Sequence, residues 1–235
     1  MPPPAKRENL LLNLAFNIAI PSLLLAKAST PERLGPVWGL VVALAFPVGY
    51  GLWDFAQRRQ ANFISLIGFT SVLATGTLGL AQVDRLWFAV KEAAVPSIIG
   101  LGVWLSAYTK RPLVNQFLFN EQVMDVAKIN TRLAEQGNEA AFHRLLASST
   151  GWLVLSFAVS AVLNFVLARW LLKSPTGTPE FNSELGKMNA LSWPVIVVPT
   201  MVITLYALWR LIGGLRRLTG LPFEELFHAE PGKKS

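Results

Sequence analysis

The chain has 235 residues, 52% of them hydrophobic and only 15% charged, with a formal net charge of +7. Soluble domains carry about 25% charged residues, so this composition argues against a water-solvated globule. The absence of cysteine excludes disulfides, thiolate catalysis and Cys-ligated metal or iron–sulfur centres.

The eight tryptophans fall into four pairs, Trp38/Trp53, Trp87/Trp104, Trp152/Trp170 and Trp193/Trp209, each bracketing a mostly apolar run. At a helical rise of ~1.5 Å per residue each pair spans roughly 22–27 Å, close to the ~30 Å hydrocarbon core of a bilayer, at whose two edges Trp collects. The fold class expected is therefore all-α: a polytopic membrane protein with six transmembrane helices and short cytoplasmic amphipathic helices. The six spans are read at about 9–27, 36–55, 62–81, 86–108, 150–172 and 190–212, each long enough for one crossing.

In chain order, Met1 to Arg7 is basic and Pro-rich and leads into the first span. Asn9, Asn13 and Asn17 interrupt that span every four residues, so it reads as a retained helix rather than a cleaved signal segment. The same three amides form a ladder on one face. They would lack partners in lipid, so the face is expected to point inward, either to interhelical hydrogen bonds of about 0.6–2 kcal/mol each or to a solute path. Span 3 carries a seam of small residues, Ser65, Gly68, Ser71 or Val72, Thr75 and Gly79.

Span 4 opens on Lys91-Glu92, one turn inside Trp87. Neighbours on a helix point ~100° apart, so the two need not pair with each other. Lys91 can snorkel outward on its long stem. Glu92 is expected either to meet a cation such as Arg169 or to be protonated in a low-dielectric site.

The segment 110–148 is the one sizeable soluble insert. Asn120 is placed to cap a helix carrying Val123, Val126, Ile129 and Leu133, and Gly137-Asn138 reads as a stop and restart before Phe142, Leu145 and Leu146. Span 5 presents Trp152, Ser156, Ser160 and Asn164 on one stripe. Lys173 to Met188, with Ser174, Pro175, Gly177 and Pro179, reads as a turn-rich loop. In span 6, Pro194 and Pro199 are expected to kink the helix, with Ser192, Thr200 or Thr204 satisfying the freed carbonyls. Leu221 to Phe227 reads as a further short interfacial helix.

Lys and Arg divide 14 to 7 between the two sides of this topology, together the 21 of the chain. The richer side is expected to be cytoplasmic, with both termini inside. The basic balance is also a mark of nucleic-acid binders, but here the cations sit at the ends of apolar runs. Membrane lipids are the expected partners, and nucleic acid is not. Two short echoes, Ala19-Ile20-Pro21-Ser22 with Ala94-Val95-Pro96-Ser97 and Asn62-Phe63-Ile64-Ser65 with Asn189-Ala190-Leu191-Ser192, would fit oppositely oriented repeats of the kind found in secondary transporters.

The candidate intramembrane polar site comprises Asn13, Asn17, Lys91, Glu92, Asn164 and Arg169. No phosphate-binding glycine loop, nucleophile elbow or metal-ligand spacing accompanies His143 and His228. No catalytic residue, metal or cofactor is therefore expected.

Two stretches carry a family likeness. The first runs from Arg58 to Asn120: a basic hairpin, the glycine-bearing span Ile64–Leu80, Trp87-Phe88-Ala89-Val90-Lys91, and Gly100-Leu101-Gly102-Val103-Trp104-Leu105-Ser106 leading to Lys110-Arg111-Pro112-Leu113-Val114. The second is Leu163-Asn164-Phe165-Val166-Leu167-Ala168 followed by Phe181 to Leu191. In this order they resemble the intracellular septation protein A family of bacterial inner-membrane proteins, with Lys110-Arg111-Pro112-Leu113-Val114 similar to its Lys-Lys-Pro-Leu-Ile signature. The chain departs from that pattern in its longer insert 120–148, its span 1 asparagines and the separation of Lys91 from Trp87. The resemblance implies a bacterial inner-membrane location, a role in cell-envelope homeostasis or septation, contacts with envelope or division proteins, and no catalytic residues. The expected function is thus a non-enzymatic integral membrane protein. The alternative is a small-solute or lipid transporter with a polar midplane site, for which six helices are few and a homodimer is the natural form.

Overall fold

The computed structural model describes residues 15–58, 63–109, 112–114, 118–119 and 123–227. Asn9, Asn13 and the expected cap Asn120 lie outside the described residues, as do the surroundings of Ser65 and Gly68. Among the described residues the chain is helical, with a single isolated antiparallel bridge between Met124 and Phe227.

We number the helices in chain order. α1 covers Ala15–Ala28, a π-helical turn at Ala15–Ala19 followed by α-helix. α2 is Gly35–Arg58, α3 Phe63–Leu80 and α4 Arg85–Ser106. α5 is Val126–Glu135 and α6 Glu139–Leu171. α7 is Pro179–Ser192, followed by a π-helical turn at Trp193–Val197 and by α8, Val198–Thr219. A 3-10 turn, Phe223–Leu226, comes after α8.

Four stretches are long and apolar enough to cross a membrane: Gly35–Trp53, Arg85–Ser106, Glu139–Leu171 and Pro179–Thr219. Ala15–Ala28 and Thr70–Leu80 are apolar but shorter, so among the described residues four spans rather than six meet the criterion. Only 17–28% of the apolar windows of the four is buried within the protein. The rest of that surface needs an apolar solvent, which water does not provide.

The helix boundaries depart from the sequence reading in two places. The stretch Lys173 to Met188 is not all loop: Thr178 accepts a hydrogen bond from the Phe181 amide, Pro179 occupies the first turn, and α7 begins there. A hydroxyl cap before a proline satisfies and pre-organises a helix start regardless of how polar the next residues are. Second, the helix that restarts after Gly137 and span 5, read separately in the sequence as part of the insert 110–148 and as 150–172, are one helix, α6, unbroken for 33 residues. Gly137 has φ +64°, and the Asn138 amide donates to the Leu133 carbonyl, closing α5 in the left-handed manner glycine permits.

By internal packing the chain divides into two compact units, Met1–Val95 with Ala161–Val197, and Pro96–Ser160 with Val198–Ser235. The core of the first gathers Leu25, Leu40, Phe88, Leu172, Phe181 and Leu185. Phe88 and Phe181 are fully buried and meet edge to face at 4.9 Å between centroids. The core of the second gathers Val103, Ile129, Leu133, Leu211, Leu215 and Leu226. In it α5 lays its apolar face, Ile129 and Leu133, inward. Its N-terminus is capped by Asp125, whose carboxylate accepts from the Lys128 amide at 3.0 Å, a role expected of Asn120. The Gln136 and Asn138 side chains donate to the carbonyls of Thr219 and Leu218 at the end of α8, groups a helix terminus leaves open.

Candidate functional site

Polar groups at membrane depth are few and costly, so their partners bear directly on function. In the first unit Lys91 Nζ lies 2.7 Å from Glu92 Oε1, and the two side chains are 12% and 21% exposed. The same ammonium donates to Thr75 Oγ1 at 2.6 Å, and Thr75 donates on to the Ser71 carbonyl at 3.0 Å. Glu92 therefore pairs with its sequence neighbour and not with Arg169. The ~100° between adjacent helix positions is bridged because both stems are long enough to fold back toward each other. Arg169 is exposed on α6. Asn164, also on α6, is half-buried, and Asn17 is half-buried on the π-helical turn of α1. Of the six predicted site residues, the structure brings Lys91 and Glu92 together; Asn13 lies outside the described residues.

A second polar seam joins α1 to α7. Asn189 Nδ2 donates to Ser22 Oγ at 3.1 Å. Asn182, 1% exposed, donates from Nδ2 to Ser29 Oγ at 3.0 Å and to the Pro36 carbonyl at 2.7 Å. Between these two contacts a Cβ on Gly186 would lie 2.7 Å from the Ser22 carbonyl oxygen. Residues 22 and 189, 25 and 186, and 29 and 182 thus face each other in antiparallel register. The spacing Asn182, Gly186, Asn189 places all three on one helical face. That spacing is visible in the sequence, but Pro175, Gly177 and Pro179 just before it give the whole segment the composition of a loop.

The connection before α7 is closed by Glu184, whose carboxylate accepts from the Lys173 and Ser174 amides at 2.8 and 2.9 Å and from Ser174 Oγ at 2.8 Å. Thr176 Oγ1 donates to the Val83 carbonyl at 2.9 Å, and Arg85 donates to the Lys173 carbonyl. In the second unit the span 5 stripe reaches α8: Ser156 Oγ donates to the Thr200 carbonyl at 2.9 Å and meets Thr204 Oγ1 at 3.0 Å. Ser192 and Thr204 each bond the carbonyl four residues earlier, at 2.8 and 2.9 Å.

The first unit also holds a groove of ≈ 580 Å³ lined by Phe16, Ala45, Phe46, Gly49, Tyr50 and Trp53. Phe16 stacks on Tyr50 at 5.9 Å. This lining is suited to hydrocarbon and offers little to a polar solute. The polar side chains of both seams thus bond other parts of the chain, while the groove is apolar.

A scan against protein-family models finds no match, and neither a search of the curated proteins nor one of the solved structures finds any. The class the fold defines is, among the described residues, an all-helical protein with four helices long and apolar enough to span a membrane.

Proposed function

We propose that this protein is a non-enzymatic, integral inner-membrane protein of bacteria that supports cell-envelope homeostasis or septation through contacts with lipids and other envelope proteins. In this reading α1 and α3 mark two further crossings, giving six spans and cytoplasmic termini. The likeness of Arg58 to Asn120 and of Leu163 to Leu191 to the septation protein A family favours the cellular role. The observation that carries the non-transport half is the Lys91–Glu92 pair, closed by Thr75. A transporter's charged site must exchange partners with solute or proton, whereas here the ammonium already has a carboxylate and a hydroxyl.

A transporter remains the rival, favoured by the π-helical turns at Ala15–Ala19 and Trp193–Val197, since such turns recur at functional sites. The test is complementation of cells lacking the protein, scored for detergent sensitivity and septum placement, with a Lys91→Met/Glu92→Leu double variant. The proposal expects the variant to restore growth in proportion to its abundance in the membrane. Loss of complementation at wild-type abundance would favour the transporter.

A further inference from the structure

The second unit carries an arginine-rich surface with no ion-pair partner among the described residues. Leu145 of α6 packs where a Cβ on Gly214 of α8 would lie 2.4 Å from its Cδ2. That contact brings Arg144, next to Leu145, level with the last turns of α8, where Arg210 stands one turn before Gly214 and Arg216 and Arg217 lie within one turn after it. All four arginines are exposed. Two other cations of the unit are paired: Lys128 with Glu225 at 2.7 Å and Arg132 with Glu135 at 3.0 Å. Among the described residues, Arg144, Arg210, Arg216 and Arg217 make no ion pair.

An aromatic tier lies immediately before them. Trp152 meets Tyr206 edge to face at 4.7 Å, Tyr206 lies 5.9 Å from Trp209, and Trp209 is 70% exposed. Indole and phenol rings with this exposure sit at headgroup level. Arg210 to Arg217 then lie ~1.5–12 Å further along the helix axis, with Arg210 and Arg217 on one face and Trp209 and Arg216 on the next. A guanidinium presents parallel N–H donors that match a phosphate in two-point contact.

We propose that these four arginines form a docking surface for the phosphate headgroups of anionic phospholipids, which seat against the α6–α8 face with their chains below the aromatic tier. The proposal rests on the membrane reading of the chain and adds to it a preference among lipids. An acidic protein segment would meet the same charges, but the aromatic tier directly beneath them favours a ligand with an apolar body under its anion.

The test uses the full chain in detergent micelles, titrated with phosphatidylglycerol, phosphatidylcholine or inorganic phosphate, with bound lipid counted by native mass spectrometry. Wild-type protein is expected to retain phosphatidylglycerol at least about tenfold better than phosphatidylcholine at low salt, since each cation near an anionic surface is worth about fivefold in affinity. A variant with Arg144, Arg210, Arg216 and Arg217 all changed to Gln should lose that preference. Lys128→Gln/Arg132→Gln, which removes the paired cations, should keep it. Equal retention of the two lipids, an unchanged preference in the quadruple variant, or full competition by inorganic phosphate would overturn the proposal. If instead the membrane reading is wrong, the protein will stay monodisperse without detergent and hold neither lipid.

Discussion

Lys91 and Glu92 share one environment, so their individual and joint removal should differ sharply. Lys91→Met leaves Glu92, 21% exposed, without its counter-ion, and breaking such a pair costs on the order of 3 kcal/mol. The Lys91→Met/Glu92→Leu double variant removes both charges and should recover most of that loss. Thermal unfolding in detergent checks this, and additive losses would show that the pair is not coupled. Asn182 works differently, as a neutral bridge among buried groups. Asn182→Leu strands the Ser29 hydroxyl and the Pro36 carbonyl, and should cost about 1–3 kcal/mol in the same assay. At Gly186 the obstacle is backbone: any Cβ meets the Ser22 carbonyl oxygen. Gly186→Val should therefore destabilise the α1–α7 contact by about 1–3 kcal/mol, seen as a lowered unfolding midpoint. The closure of Lys91 on Glu92 is not legible in the sequence, because helical angles describe where stems leave the axis and not where long flexible side chains end.

At the scale of the element, composition locates the apolar helices but misjudges where the backbone stops. Glu180, Asn182, Glu184 and Lys187 lower the apparent apolarity of α7, although Thr178-Pro179 marks its start. Likewise α6 passes from the polar turn at Glu139–Arg144 into its apolar stretch without a break, since a change of solvent along a helix does not require a change of conformation. The prolines are legible as a disturbance; its form, a π-helical turn at Trp193–Val197, depends on how neighbouring carbonyls are satisfied. α5 is short and depends on its cap and on the 3-10 turn beyond α8. Asp125→Ala should cost it about 1 kcal/mol, read as faster amide exchange over Val126–Glu135. Leu226 is fully buried on the 3-10 turn and its carbonyl accepts from the Asp125 amide at 3.0 Å. Leu226→Ala should cost about 2–5 kcal/mol and speed exchange in α5 as well, whereas exchange confined to residues 223–227 would show that the two segments are independent.

Across the whole molecule, the distribution of surface is what separates this chain from a soluble helical protein. Each unit has its own buried cluster, yet large side chains such as Leu23, Ile98, Val162 and Val202 stand more than half exposed. Seven of the eight tryptophans are also exposed, from 40% at Trp193 to 70% at Trp209. Only Trp152 is held inward, against Tyr206. A soluble fold would conceal this area, and a bilayer would not, while drawing the indoles to its two boundaries. The number of crossings is less legible than the solvent, because the apolar stretches Ala15–Ala28 and Thr70–Leu80, in α1 and α3, fall short of a full span.

Tryptophan quenching by brominated phospholipids in reconstituted vesicles tests that placement most directly. With lipids brominated near the headgroup the indole emission should fall strongly, and with bromine at the chain ends it should fall much less. Emission unaffected by bromine at either depth would contradict the placement of this chain in a bilayer.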